Sequence, residues 1–225
     1  MSFEVPSITP RAAPDGPRRE PLCRTGDPKE LARVFAAKLA DTEGMRRALQ
    51  AWGIARDALE GTMAARKVED GACHKGCAWC CNLQVTVRFA DAAHLARRAR
   101  AIPALEARVR ATAARVGHLD PAARLRAAIP CAFLDGASGA CSVYEDRPLP
   151  CRAYRSRDAG WCRSLVGSTA THASGKPVIA EGLAIRALIT EAMVKVTPEA
   201  WRTKGELHAM VVRILDGMTN RVGSR

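Results

Sequence analysis

Apolar residues recur every three or four positions along much of this chain, which is the period of an amphipathic helix. Leu31, Val34, Phe35 and Leu39 make one such stripe, entered through Asp27-Pro28-Lys29-Glu30. That entry supplies an N-cap, a proline at the first helical position and a capping-box glutamate. Leu49, Trp52, Ile54 and Leu59 continue the period over 45–65, punctuated by Gly44 and Gly53, so 27–67 reads as a helical hairpin. Asp91 is placed to cap a helix through Leu95 toward Ile102, where Pro103 interrupts it. Leu105, Val109 and Val116 carry a helical face on to Gly117, and Asp120-Pro121 opens a short helix with Leu125 and Ile129. Pro177 opens the next helix, with Ile179, Leu183, Leu188 and Val196 on its apolar positions. Thr197-Pro198-Glu199 begins the last one, with Trp201, Leu207, Met210, Val211, Ile214 and Leu215.

Helical spacing breaks down in a few places. Val85-Thr86-Val87 is a short extended piece. Residues 130–134 and 141–144 read as two short strands, joined by Asp135-Gly136-Ala137-Ser138-Gly139, whose residue types tolerate positive φ in a hairpin loop. Residues 147–152 read as a stiff, non-helical connector. The expected fold is mainly α: a small helical metalloprotein with a short β-hairpin in its cysteine region. Four segments follow: a disordered, basic and proline-rich leader at 1–26, a helical hairpin at 27–67, a cysteine-cluster domain at 68–165, and C-terminal helices at 166–225.

Composition narrows the function classes. With 225 residues the chain can bury a core without needing disulfides. No run approaches the roughly 18 apolar residues of a membrane span. Residues 1–21 hold five prolines and no apolar core segment, so they do not read as a secretory signal. The cysteines are therefore expected in a reducing compartment, the cytoplasm, where metal binding or catalysis outweighs a disulfide framework. A net charge of +12 raises the question of nucleic acid, but aromatic residues make up only 4% of the chain. No basic stretch interleaved with aromatics supplies a stacking platform for single strands, so nucleic-acid binding is not the favoured reading.

The cysteines change the picture most. Eight of the nine lie between Cys73 and Cys162, and the first four form the run Cys73-His74-Lys75-Gly76-Cys77-Ala78-Trp79-Cys80-Cys81. Cys131, Cys141, Cys151 and Cys162 follow at intervals of about ten residues. Thiolates are soft ligands that select zinc, cuprous copper or iron–sulfur clusters over magnesium and calcium. Eight of them divide into two four-cysteine sites, or one cluster and one structural zinc. Ordinary buried cysteines account for one or two thiols, not for a run spaced like this one. Neighbouring side chains on an extended segment point to opposite sides, so Cys80 and Cys81 reach one ion only through a tight turn. His74 and His118 are conceivable nitrogen ligands, although thiols are plentiful without them. Cys23, alone in the leader, reads as a bystander. Four thiolates around Zn²⁺ or a [4Fe–4S]²⁺ core carry a net charge of about −2. Arg147, Arg152, Arg155, Arg157 and Arg163 lie beside the later cysteines in sequence and offer counter-charge. Of these, Arg147 and Arg152 are the candidates for contact with a cofactor.

The pattern Cys73-x₃-Cys77-x₂-Cys80-Cys81, followed by Cys131-Ala-Phe-Leu, Cys141-Ser-Val-Tyr144-Glu-Asp-Arg147-Pro148 and Cys151-Arg152-Ala-Tyr154, resembles the YkgJ-type cysteine-cluster family. That family carries the CxxCxxCC zinc- or iron-chelating domain, and flagellin N-methylases are among its relatives. The resemblance covers residues 73–162, and this chain has three residues rather than two in its first spacer. It implies a zinc or iron–sulfur centre held chiefly by Cys73, Cys77, Cys80, Cys81, Cys131, Cys141, Cys151 and Cys162. The implied role is structural, electron-transferring or accessory to protein modification, with a protein as partner or substrate. Two alternatives stand beside it: a protein-lysine N-methylase-like enzyme, and a zinc-stapled basic module that binds a partner.

Cys73-x₃-Cys77-x-Trp79-Cys80 also satisfies the Cx₃CxΦC pattern of radical S-adenosylmethionine enzymes. The strand–helix repeats that normally follow that motif are absent, as is a glycine-rich loop for a nucleotide-type cofactor. S-adenosylmethionine therefore enters only if the protein is an enzyme. Asp146 is available as a catalytic base, but nothing in its spacing singles it out.

Overall fold

The computed structural model describes residues 27–168 and 177–222. The leader at 1–26, with Cys23, lies outside the described residues. The chain is mainly helical: α1 (Pro28–Leu39), α2 (Gly44–Ala65), a single strand β1 (Thr86–Arg88), α3 (Phe89–Arg100), α4 (Pro103–Val116), α5 (Pro121–Ala127), α6 (Leu149–Ala153), α7 (Ala159–Leu165), α8 (Ala180–Val196), β2 (Lys204–Glu206) and α9 (Leu207–Val222). The polar punctuation acts where the sequence places it at α1 and α5. Asp91, expected as a cap, instead lies inside α3, whose N-cap is Arg88, and accepts the Arg88 N–H from the first turn. Asp27 accepts the Lys29 N–H at the start of α1, and Asp120 accepts the Ala123 N–H at the start of α5. Pro28, Pro103 and Pro121 each sit in a first helical turn, where a missing N–H costs nothing.

Two apolar clusters organise these helices. Leu31, Phe35 and Leu39 of α1 meet Trp52, Leu59 and Met63 of α2, Leu149 and Ala153 of α6, and Ile185 and Ile189 of α8. The second cluster joins Leu95 of α3, Leu105 and Val109 of α4, Phe133, Val143, and Leu207, Val211 and Leu215 of α9. Burying a side chain such as Phe35 or Phe133 stabilises by roughly 1.5–3 kcal/mol. Close approach also matters, because a Cβ on Gly182 would stand 2.7 Å from the Ala153 carbonyl oxygen, so only glycine lets α8 lie this near α6. Residues from both helical flanks thus share cores with the segment that carries the cysteines.

Four local expectations need correction. The hairpin at 130–144 contracts to one isolated bridge, Leu134 opposite Cys141, because the Cys131 N–H is spent on the Cys81 carbonyl instead of a ladder. The small antiparallel sheet forms between β1 and β2, with Thr86 opposite Glu206 and Arg88 opposite Lys204. Residues 197–206 therefore do not begin the last helix. They make a 3₁₀ turn (Glu199–Trp201) and the strand β2 before α9 starts at Leu207. Likewise α8 starts at Ala180 rather than Pro177, since Val178 bridges to Ser156 and the Ile179 N–H bonds to the Arg155 carbonyl. Finally, 149–153 is the short helix α6, because Pro148 and Pro150 fall at its N-cap and first turn, where proline is tolerated. Among the described residues, no helix is long and apolar enough to cross a membrane.

Candidate metal centre

The first cysteine segment is fixed by one close backbone contact. Gly71 adopts φ +63°, and a Cβ there would fall 2.4 Å from the Ser156 carbonyl oxygen. Glycine thereby lets the next residue, Ala72, donate its N–H to that same oxygen at 2.8 Å. Two residues on, Cys73 presents its sulfur to the Ser156 N–H at 3.3 Å. Cys162, on α7, also hydrogen-bonds to Ser156, and α7 is held by Asp158, which accepts the Trp161 N–H at 2.9 Å. Ser156, itself 1% exposed, thus gathers Cys73 and Cys162 from the two ends of the cysteine region. Cys80 and Cys81 sit in a 3₁₀ turn, Trp79–Asn82, and their side chains are hydrogen-bonded to each other. That is the tight turn an adjacent pair needs in order to face one place.

The later cysteines approach the same turn. Cys131 donates its N–H to the Cys81 carbonyl at 2.9 Å, Cys141 is brought round by the bridge to Leu134, and Cys151 rides on α6. Cys77, Cys80, Cys81, Cys131, Cys141 and Cys151 all line one cavity of about 60 Å³. Cys73 and Cys162 lie outside its wall, beside Ser156. Among the described residues, no three His, Cys, Asp or Glu side chains stand at a spacing that would hold a metal ion as they are. The sulfurs are gathered but not drawn into a closed ligand shell. Their chemistry still fits a soft metal, because the cavity wall is rich in thiols, with aliphatic side chains such as Leu83, Val85 and Leu207 between them.

Electrostatics explains why bare thiols here remain neutral. Burial pushes the Cys77 and Cys131 thiols up to about 11, and raises those of Cys73, Cys141, Cys151 and Cys162 as well. Cys80 is raised most strongly by its hydrogen bond with Cys81, and then by burial. Each sulfur further disfavours charge on its neighbours: Cys73, Cys80 and Cys162 act on Cys77, while Cys80, Cys131 and Cys141 act on Cys151. A bound cation reverses this balance, since a thiolate is the ligand and metal binding releases its proton.

The arginines flanking the later cysteines take different places. Arg147 lines the cavity, stacked 3.7 Å over the Tyr144 ring. Arg152 is turned to Glu60, with further bonds to the carbonyls of Glu145 and Arg147. Arg155 pairs with Asp70, Arg157 with Glu69, and Arg163 lies over the Trp79 ring. Asp146 is engaged by His94 at 2.9 Å and by Arg98. Burial alone would raise Asp146, but those hydrogen bonds outweigh it and hold the carboxyl below its usual range. His74 is exposed and meets only the Ala72 carbonyl, and His118 is also exposed.

Two residues important to the site escape sequence reasoning. His208, at the start of α9, lines the cavity. Its Nδ1–H donates to Glu206 at 2.7 Å while Nε2 accepts the Ala132 N–H at 3.1 Å, which fixes the orientation of the ring beside Cys131. Arg124 of α5 is 1% exposed and lies within the electrostatic reach of Cys131, Cys81 and Glu206. Neither residue has a spacing relation to the cysteines; only the packing of α5 and α9 brings them in.

A search of curated proteins and a search of solved structures each find no match. Residues 72–170, in contrast, match the model of the CxxCxxCC family, described as "Putative zinc- or iron-chelating domain". The gathered cysteines all fall within that span, which is what this chain shares with the family.

Proposed function

We propose that this protein binds zinc or an iron–sulfur cluster through thiolates of both cysteine segments, as a structural or electron-transferring centre. The supporting observation is the single cavity lined by six cysteines, three from 77–81 and three from 131–151. Eight thiols exceed what one tetrahedral ion or one cluster uses, so two adjoining four-thiolate centres account for them. Cys73, Cys77 and Cys162 belong to one centre and Cys131, Cys141 and Cys151 to the other, with the Cys80–Cys81 pair completing both. The implied setting is the reducing cytoplasm, where thiols stay available for metal. Alkylation followed by mass spectrometry tests this reading. In metal-loaded protein the eight clustered cysteines are protected and Cys23 is labelled, whereas chelation exposes all nine. Equal labelling with and without metal would reject it.

A second reading, a protein-modifying enzyme, is favoured by one specific observation. A cleft of about 1170 Å³ shares Cys80 and Cys151 with the cysteine centre. Its other walls include Asp91, Tyr154, Arg186 and Ala187. That volume is sufficient for a cofactor or a substrate segment next to the sulfurs. Calorimetry of metal-loaded protein with S-adenosylmethionine discriminates. Binding heat that Ala187→Trp abolishes, with metal content unchanged, supports an enzyme; no heat with the parent protein removes this cofactor from consideration.

A further inference from the structure

Arg124 is the least expected charge in the molecule. Its side chain is 1% exposed, and of its donors Nη1 reaches the Ile129 carbonyl. Nε and Nη2 are buried and find no hydrogen-bond partner among the described residues. A guanidinium carries five N–H donors and stays charged, so burying it this way is unfavourable unless negative charge compensates. The carboxylate within its electrostatic reach, Glu206, is already committed to the His208 ring and to the Ala209 N–H at 2.9 Å. Also within electrostatic reach are the like charge of Arg115 and two sulfurs. One is that of Cys131, two residues beyond the Ile129 carbonyl that Arg124 holds, and the other that of Cys81, the two cysteines being joined by a backbone hydrogen bond at the cavity wall.

As free thiols those sulfurs are neutral and poor acceptors. As metal-bound thiolates they would belong to a centre of about −2 charge, the environment in which a buried guanidinium becomes favourable. We propose that Arg124 is the built-in counter-charge of the cysteine centre, donating through Nε and Nη2 to the metal-bound sulfurs of Cys81 and Cys131. This rests on the metal-binding reading above and adds a residue that positions and neutralises the ligand shell without ligating. It also names a division of labour among the arginines. Arg152, Arg155, Arg157 and Arg163 are taken up by Glu60, Asp70, Glu69 and the Trp79 ring, Arg147 stands in the cavity wall, and α5 adds a second, fully buried charge.

The test uses the full chain, loaded with zinc and titrated with a competing chelator, in the parent, Arg124→Met, Arg124→Lys and, as control, Arg110→Met, at an arginine paired with Glu106 and Asp216. Loss of an outer partner of a metal ligand typically lowers metal affinity by about 10–100-fold, and that is the expected effect of Arg124→Met. Arg124→Lys should recover part of the loss, and Arg110→Met should match the parent. In the metal-free state Arg124→Met should resist urea at least as well as the parent, because an uncompensated buried charge is gone. A merely structural arginine would behave the other way, with metal-free stability falling and zinc affinity unmoved. Zinc affinity of Arg124→Met within twofold of the parent, or a lysine variant no better than methionine, overturns the proposal. Should Arg124→Met fail to fold, nitrogen-15 spectra of the parent's arginine side chains decide. Zinc should shift the Arg124 Nε–H signal and slow its exchange, and an unchanged signal counts against the assignment. A parent that takes up no metal refutes the metal reading itself; a parent that binds zinc while Arg124→Met does so equally refutes this inference alone.

Discussion

The two halves of the cysteine cluster are held in different ways. Around Ser156, Cys73 and Cys162 are positioned by main-chain and hydroxyl hydrogen bonds within two short stretches, 71–77 and 156–162. Cys131 and Cys141 instead pack against the second apolar cluster, with Phe133, Val143 and α9 behind them. Local backbone geometry makes the first half, while convergence of distant helices makes the second. Damage to the first should therefore stay local, whereas damage to the second should reach global stability.

The largest expected effect comes from the core-packed half. Cys131→Ala should abolish metal binding there and lower unfolding free energy by roughly 4 kcal/mol in metal-replete buffer, since binding to the native state alone stabilises by about that much at saturating ligand. Urea denaturation with and without chelator measures it. In chelator, where neither centre contributes, Cys131→Ala should still cost more than Cys162→Ala, because of the two only Cys131 packs against the second apolar cluster. Equal costs there would mean that the contrast between the halves is wrong.

Next comes His208→Ala, which breaks the link from Glu206 to the Ala132 N–H. It leaves a buried donor unmet, at a cost of about 1–3 kcal/mol. Its effect should appear in the urea midpoint of metal-free protein as well, since the link does not depend on metal. Gly71→Ala should cost a similar or smaller amount, about 1–3 kcal/mol from forced positive φ and the clash with the Ser156 oxygen. Here the alkylation footprint should show Cys73 newly reactive while Cys131 stays protected. Loss of protection at both would mean that the halves are one unit.

A pH prediction sharpens the picture around the cleft. Burial pushes Asp91 up to about 6, against bonds from the Leu149 and Arg88 N–H groups that favour its charge. A carboxyl raised above its unfolded value holds more protons in the native state. Its contribution is intact below about pH 4 and is lost as pH rises through about 6. Asp91→Asn removes this term, so its stability relative to the parent should climb by about 2–3 kcal/mol between pH 4 and 7. A pH-independent difference would contradict the assignment. His74→Ala, at an exposed ring outside the cavity, should change neither metal content nor stability.

The difference between the halves also decides what was legible from sequence. Helix entries at Asp27-Pro28 and Asp120-Pro121 were readable because capping and proline act over a few residues. The 73–81 run pointed to metal chemistry because its thiols are close in the chain. The pairing of β1 with β2 was not readable, since each strand is three residues long and more than a hundred residues separate them. Arg124 and His208 were hidden for the same reason: burial of a charge and the direction of a ring are set by tertiary packing, which periodicity does not encode. The helical character of 149–153 was missed because prolines read as breakers unless their place in the first turn is known.

Metal analysis of protein purified without oxygen tests the central claim most directly. Zinc, or iron with acid-labile sulfide, should be present at one or more equivalents per chain and fall when Cys131 or Cys77 is replaced by alanine. Less than a tenth of an equivalent of either metal, with an urea midpoint that chelators leave unmoved, would contradict it.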